Sequence, residues 1–246
     1  MLCDMATPLA VLLYASIAAL SAIPGGLIRW STTPGRDRWI GWAHALAAGG
    51  MLGAAFVLTV VPDAVPVAAA LGGVLGVGFI AATHAVTRLD SLDLSRPHRE
   101  DPTAAPRLVA LHALHACTEG VAIGAAMAVD LSLGVFMALA IAVHNVPEAA
   151  LLSGATRRQG SGRAGGVGLV VLSNAGQPVL AIATWYLVAM LPTSLPWVLG
   201  FAVGALLTLV MTELLPASYR EAGSTSIALV ASVALGLVVL LGGILP

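Results

Sequence analysis

The sequence predicts an all-α polytopic membrane protein of eight transmembrane helices. Three observations carry that prediction. Hydrophobic residues make up 59% of the chain and charged residues only 9%, with a mean hydropathy of +0.96, a balance foreign to soluble domains. Eight apolar runs reach or approach the roughly 20 residues needed to cross the hydrocarbon. The eleven positive charges are all arginine and fall in or beside alternate connections between those runs. A chain so poor in charge has the lipid bilayer as its partner, and nothing in it points to nucleic acid.

The elements follow in order. Segment 1 covers roughly residues 8–28; its leader, Met1-Leu2-Cys3-Asp4, lacks the positive charge of a signal peptide, so the helix is read as retained. Arg29, Arg36 and Arg38 separate it from segment 2, roughly 40–61, which holds Gly50-Met51-Leu52 and ends at Val60-Val61-Pro62-Asp63. Segment 3, roughly 65–87, carries His84 near its end. The third connection, roughly 88–106, is long, charged and proline-containing, and reads as a flexible cytoplasmic loop with His98 solvated in it. Segments 4 and 5, roughly 107–129 and 131–156, meet in a short turn at Asp130. Arg157, Arg158 and Arg163 precede segment 6, roughly 164–190. Segment 7, roughly 195–217, is followed by Arg220 and then by segment 8, roughly 224–245.

Every arginine lies at an odd-numbered connection. The positive-inside rule puts those connections in the cytoplasm and both termini on the outer side of the cell membrane. Cys3, near the outer end, and Cys117, near mid-membrane, are placed too far apart in depth to pair. The whole chain reads as one transmembrane domain. Gly50-Met51-Leu52 precedes Val60-Val61-Pro62 by the same spacing as Gly204-Ala205-Leu206 precedes Leu214-Leu215-Pro216. Segments 2 and 7 run in opposite directions, so this match predicts a 3+2+3 arrangement, with segments 1–3 and 6–8 as inverted repeats around 4 and 5.

Chemistry concentrates in that central pair. His115 and Glu119 on segment 4, and His144 and Glu148 on segment 5, each share a helix face at i and i+4. An ionisable side chain in hydrocarbon costs roughly 2.5 kcal/mol or more, which makes each a functional candidate. Glu119 and His144 fall near the midplane, with His115 and Glu148 one turn nearer the cytoplasm. Imidazole with carboxylate suits a divalent first-row metal. Pro147 cannot donate to the Val143 carbonyl and predicts a kink or break in segment 5.

These residues resemble the ZIP (ZRT/IRT-like) metal transporters, in their prokaryotic branch. His144-Asn145-Val146-Pro147-Glu148 matches the family signature HNxPE, and His115-x-x-x-Glu119-Gly120 is a degenerate copy of its companion. The resemblance implies that His115, Glu119, His144 and Glu148 form the transport site, with Met51 as a thioether ligand. It also implies an elevator-like shift of segments 1, 4, 5 and 6 against 2, 3, 7 and 8 in a homodimer. This chain departs from the pattern at Ala116, at Thr118 and at Gln177 in Asn174-Ala-Gly-Gln177-Pro178. With neutral Asn145, Asn174 and Gln177 as its material, a second site is weak, and one dominant metal site is expected.

His112, His44 and His84 lie towards the inner ends of their helices; singly each reads as an interfacial hydrogen-bonder, and together they could form an exit path for metal or a proton relay. Glu213, one turn from the inner surface, reads as an arginine partner or a helix-end cap, and Cys117 points away from the His115–Glu119 stripe. The resulting expectation is a transporter, not an enzyme. It takes up divalent transition metal, zinc first and then iron, manganese, cobalt or cadmium, with no prosthetic group. The rival is an intramembrane metal-dependent hydrolase using the same ligands to activate water; it lacks an HExxH motif.

Overall fold

The computed structural model describes residues 6–28, 36–61, 65–87, 104–158 and 160–244. These residues are helical almost throughout, with no strand among them. Among the described residues, eight helices are long and apolar enough to cross a membrane: span 1 (Pro8–Leu27), span 2 (Arg38–Thr59), span 3 (Pro66–Thr87), span 4 (Pro106–Val129), span 5 (Leu131–Arg157), span 6 (Arg163–Met190), span 7 (Pro192–Glu221) and span 8 (Ser224–Ile244). The chain is therefore a multi-pass membrane protein. Cys3, Asp63, His98 and residues 88–103 of the long connection lie outside the described residues.

Two spans are interrupted, and prolines explain both. Span 1 breaks at Ser21, three residues before Pro24, and span 6 breaks at Ala175, three residues before Pro178. In each case the proline has no N–H for the carbonyl four residues back. The helix of span 5 continues through Pro147, so the chain does not break there. Span 7 contains a π turn at Val210–Leu214, where the Leu215 N–H reaches back to the Val210 carbonyl.

Packing follows the inverted repeat. Span 3 packs most extensively on span 7 and span 2 on span 8, while span 4 lies along the second half of span 6 and span 5 along the second half of span 1. Exchanging 1 with 6, 2 with 7, 3 with 8 and 4 with 5 turns each contact into its counterpart. The 3–7 seam is backbone on backbone. A Cβ at Gly200 or Gly204 would overlap the Ala69 or Gly73 carbonyl, so only glycine allows this approach. Span 4 is the most enclosed, with 72% of its apolar window buried, against 22% for span 3 and 11% for span 8; the last two form the flanks. Asp130 ends span 4 and caps span 5, its Oδ1 accepting from the N–H groups of Ser132 (2.7 Å) and Leu133 (3.1 Å). That tight turn sets spans 4 and 5 antiparallel and brings their polar faces together.

Candidate metal centre

The buried polar groups of spans 4 and 5 are held by residues from spans 1 and 6. His144 Nε2 lies 2.9 Å from Glu119 Oε1. The other Glu119 oxygen accepts from the Gln177 side-chain amide. Asn145 Nδ2 donates to Gln177 Oε1 at 3.4 Å and to the Ala18 carbonyl at 2.8 Å. A chain of neutral amides thus fixes one carboxylate, and it starts where the broken spans 1 and 6 cross. Glu148 completes the group: one ligand atom from each of Glu119, His144 and Glu148 lies within 4.8 Å of the others. We call this the upper cluster.

Glu148 has its own support. Its Oε1 is 3.4 Å from His112 Nδ1, and His112 Nε2 is 3.3 Å from Asn174 Nδ2, which also donates to the Val170 carbonyl at 2.9 Å. His112 and Asn174 therefore form a buttress behind a carboxylate. Such partners orient metal-binding groups. Thr118 bonds back to the His115 carbonyl at 2.7 Å, as its hydroxyl allows.

His115 does not join the other three residues of the HxxxE pairs. Its Nε2 is 3.4 Å from Glu213 Oε1, and the same oxygen is 2.9 Å from His84 Nε2. His84, His115 and Glu213 form a lower cluster, again with ligand atoms within 4.8 Å, drawn from spans 3, 4 and 7. Glu213 rides on the π turn with its carboxylate between two imidazoles, so its role goes beyond capping a helix end. π turns of this kind gather at functional sites. Sequence reasoning missed this role. The available signal was that Glu213 is the only acid placed deep in segment 7.

A small cavity joins the two groups. It is lined by His44, Met51, His115, Glu119, Glu148 and Glu213, and its volume of about 20 Å³ is enough for one water-sized species. Met51 is thus at the cavity wall, as is His44. The amide residues expected to make a weak second site are divided by the fold. Asn145 and Gln177 serve Glu119, whereas Asn174 serves His112, and the Asn145 and Asn174 side-chain oxygens have no hydrogen-bond partner among the described residues.

Fold and site together define a multi-pass membrane protein with imidazole, carboxylate and thioether groups gathered inside its helical bundle, a donor set suited to divalent transition metals. No family model matches the chain. Over 135 residues it is 28% identical to an Arabidopsis thaliana protein named as a candidate zinc transporter. The match covers 54% of this chain and 22% of the plant protein's length.

Proposed function

We propose that this protein carries divalent transition-metal ions, zinc foremost, across the membrane into the cytoplasm. The observation that carries the reading is the single small cavity bordered at once by Glu119 and Glu148, by His115 and Glu213, and by Met51. An ion there has two successive sets of ligands, offset by about one helical turn along span 4. The upper cluster is the dominant binding station. The lower cluster, with His84 among its members, is the next station on the way in, and His44 lines the same cavity. The likeness to the plant protein favours zinc as cargo.

The arginine-rich connections face the cytoplasm in this proposal, and both termini face out. Packing supports two moving bodies. Spans 1, 4, 5 and 6 pack mainly on one another, spans 2, 3, 7 and 8 do likewise, and the cavity lies between the groups. An elevator-like shift of one body against the other, in a homodimer, would expose the cavity to each side in turn. Protons compete with metal for imidazole and carboxylate, so uptake weakens in acid.

The test is metal influx into proteoliposomes across a panel of divalent ions at fixed pH, with wild type beside Glu148→Ala. Saturable influx lost in the variant supports the proposal and ranks the cargo. Tight metal binding without flux in wild type overturns it and directs attention to hydrolysis.

A further inference from the structure

The lower cluster has a further donor group at its side. His44, on span 2, is buried and lines the same small cavity as His115 and Glu213. Span 2 packs directly on the π turn that carries Glu213. Spans 2 and 4 run in the same direction, so His44 lies below Met51 on span 2 as His115 lies below Glu119 on span 4. Two helical turns, about 10 Å of rise, separate His44 from Met51. Span 2 therefore presents a thioether at the upper end of the cavity and an imidazole at the lower end. The rings of His84 and His115 stand with centroids 6.0 Å apart, and their Nε2 atoms converge on one Glu213 oxygen at 2.9 and 3.4 Å. Two imidazoles and a carboxylate suffice for a hydrogen-bonded triad. A third imidazole, brought to the same cavity by a fourth span, is more than such a triad uses.

We propose that His44, His84, His115 and Glu213 together form a four-coordinate site for a divalent transition metal, with His44 as the ligand that completes it. The inference rests on the transport reading and deepens it, because it assigns the ligands and the selectivity of the lower station. Three imidazoles with one carboxylate are a donor set that zinc and cobalt(II) accept readily. The upper cluster is richer in oxygen, with one imidazole against two carboxylates. Imidazole suits zinc, nickel and copper, whereas carboxylate and water suit manganese. The lower site thus discriminates against manganese more strongly than the upper one, and His44 sets by how much. Its four ligands come from spans 2, 3, 4 and 7, with no turn shared between them, so it binds more weakly than the braced upper cluster.

The test reads binding rather than flux. The full chain carrying Glu119→Gln and Glu148→Gln, which removes both upper carboxylates and keeps their bulk, is placed in nanodiscs and titrated with cobalt(II). Four-coordinate cobalt(II) absorbs visible light far more strongly than six-coordinate cobalt(II). An intense visible band should grow to saturation at one ion per chain. Zinc should abolish it, and manganese at the same concentration should leave it in place. Adding His44→Ala should weaken the band and lower cobalt affinity at least about tenfold, or 1.4 kcal/mol. Adding Glu213→Gln instead should remove the band. His44→Gln, which keeps a polar side chain without the imidazole, repeats the measurement if His44→Ala folds poorly. A band and an affinity unmoved in both His44 variants overturn the proposal, because His44 is then no ligand. The absence of any intense band before His44 is changed overturns it too, and leaves His84, His115 and Glu213 as a hydrogen-bonded triad. Metal influx that proceeds without this band would sink the site alone. A band in a chain that carries no metal would sink the transport reading alone.

Discussion

The upper and lower clusters contain the same chemical groups and are supported in opposite ways. Glu119, His144 and Glu148 come from two helices joined by one tight turn, and each carboxylate has a partner behind it: Gln177 on Glu119, His112 on Glu148. His84, His115 and Glu213 come from three helices, with Glu213 separated from the other two by the whole of spans 5 and 6, and one carboxylate oxygen lies between two imidazoles with a π turn beneath it. The first arrangement is braced for a fixed geometry. The second can change whenever spans 3, 4 and 7 shift, because its ligands share no local turn. The transport path proposed above would need both kinds of site, one that selects and one that lets go.

That contrast can be broken by experiment. The largest effect is expected from Glu148→Ala, which removes a ligand from the braced cluster. Zinc affinity, measured against a fluorescent chelator, should fall at least about 100-fold, equivalent to roughly 2.8 kcal/mol of binding. A fall of less than tenfold would move the dominant site away from the upper cluster.

Gln177→Ala comes next. It leaves every upper ligand in place but frees Glu119, and loss of an orienting partner of this kind costs about 10- to 100-fold in metal affinity. Unchanged affinity would mean that the amide chain has no part in holding the ligand.

Glu213→Gln should sharpen the contrast in the other direction. Equilibrium zinc binding should stay within about threefold, less than 0.7 kcal/mol, while influx into proteoliposomes slows. Equal losses of binding and flux would merge the two clusters into one site.

The smallest effects concern the frame. Gly204→Val puts side-chain atoms against the Gly73 carbonyl and should destabilise the bundle by about 1–3 kcal/mol, read as a lowered thermal midpoint in detergent. Gly50→Ala enters open space and should change stability by no more than about 0.5 kcal/mol.

Much of this protein is local and so could be read directly. Apolar runs of membrane-crossing length required eight helices, since a backbone in hydrocarbon must satisfy its own hydrogen bonds. The i, i+4 spacing of His115 with Glu119 and of His144 with Glu148 put each pair on one helix face. The interruptions of spans 1 and 6 near Pro24 and Pro178 went unread, whereas Pro147, where a kink or break was expected, left its helix continuous. The sorting of ligands was a different matter. His115 and Glu119 share a face, yet one turn of rise separates them, and that is enough for each to meet a different set of neighbours. Glu213 is 98 residues beyond His115 in the chain, and Gln177 is 58 residues beyond Glu119. No helical period records such pairings. They arise only when glycine seams and proline breaks fix how closely, and at what depth, the spans pass one another. The amino-acid pattern by itself determined which groups lie buried in the membrane, because burial follows from composition and local geometry. Packing alone decided which of them meet, because contact between distant helices depends on the relative positions of whole spans.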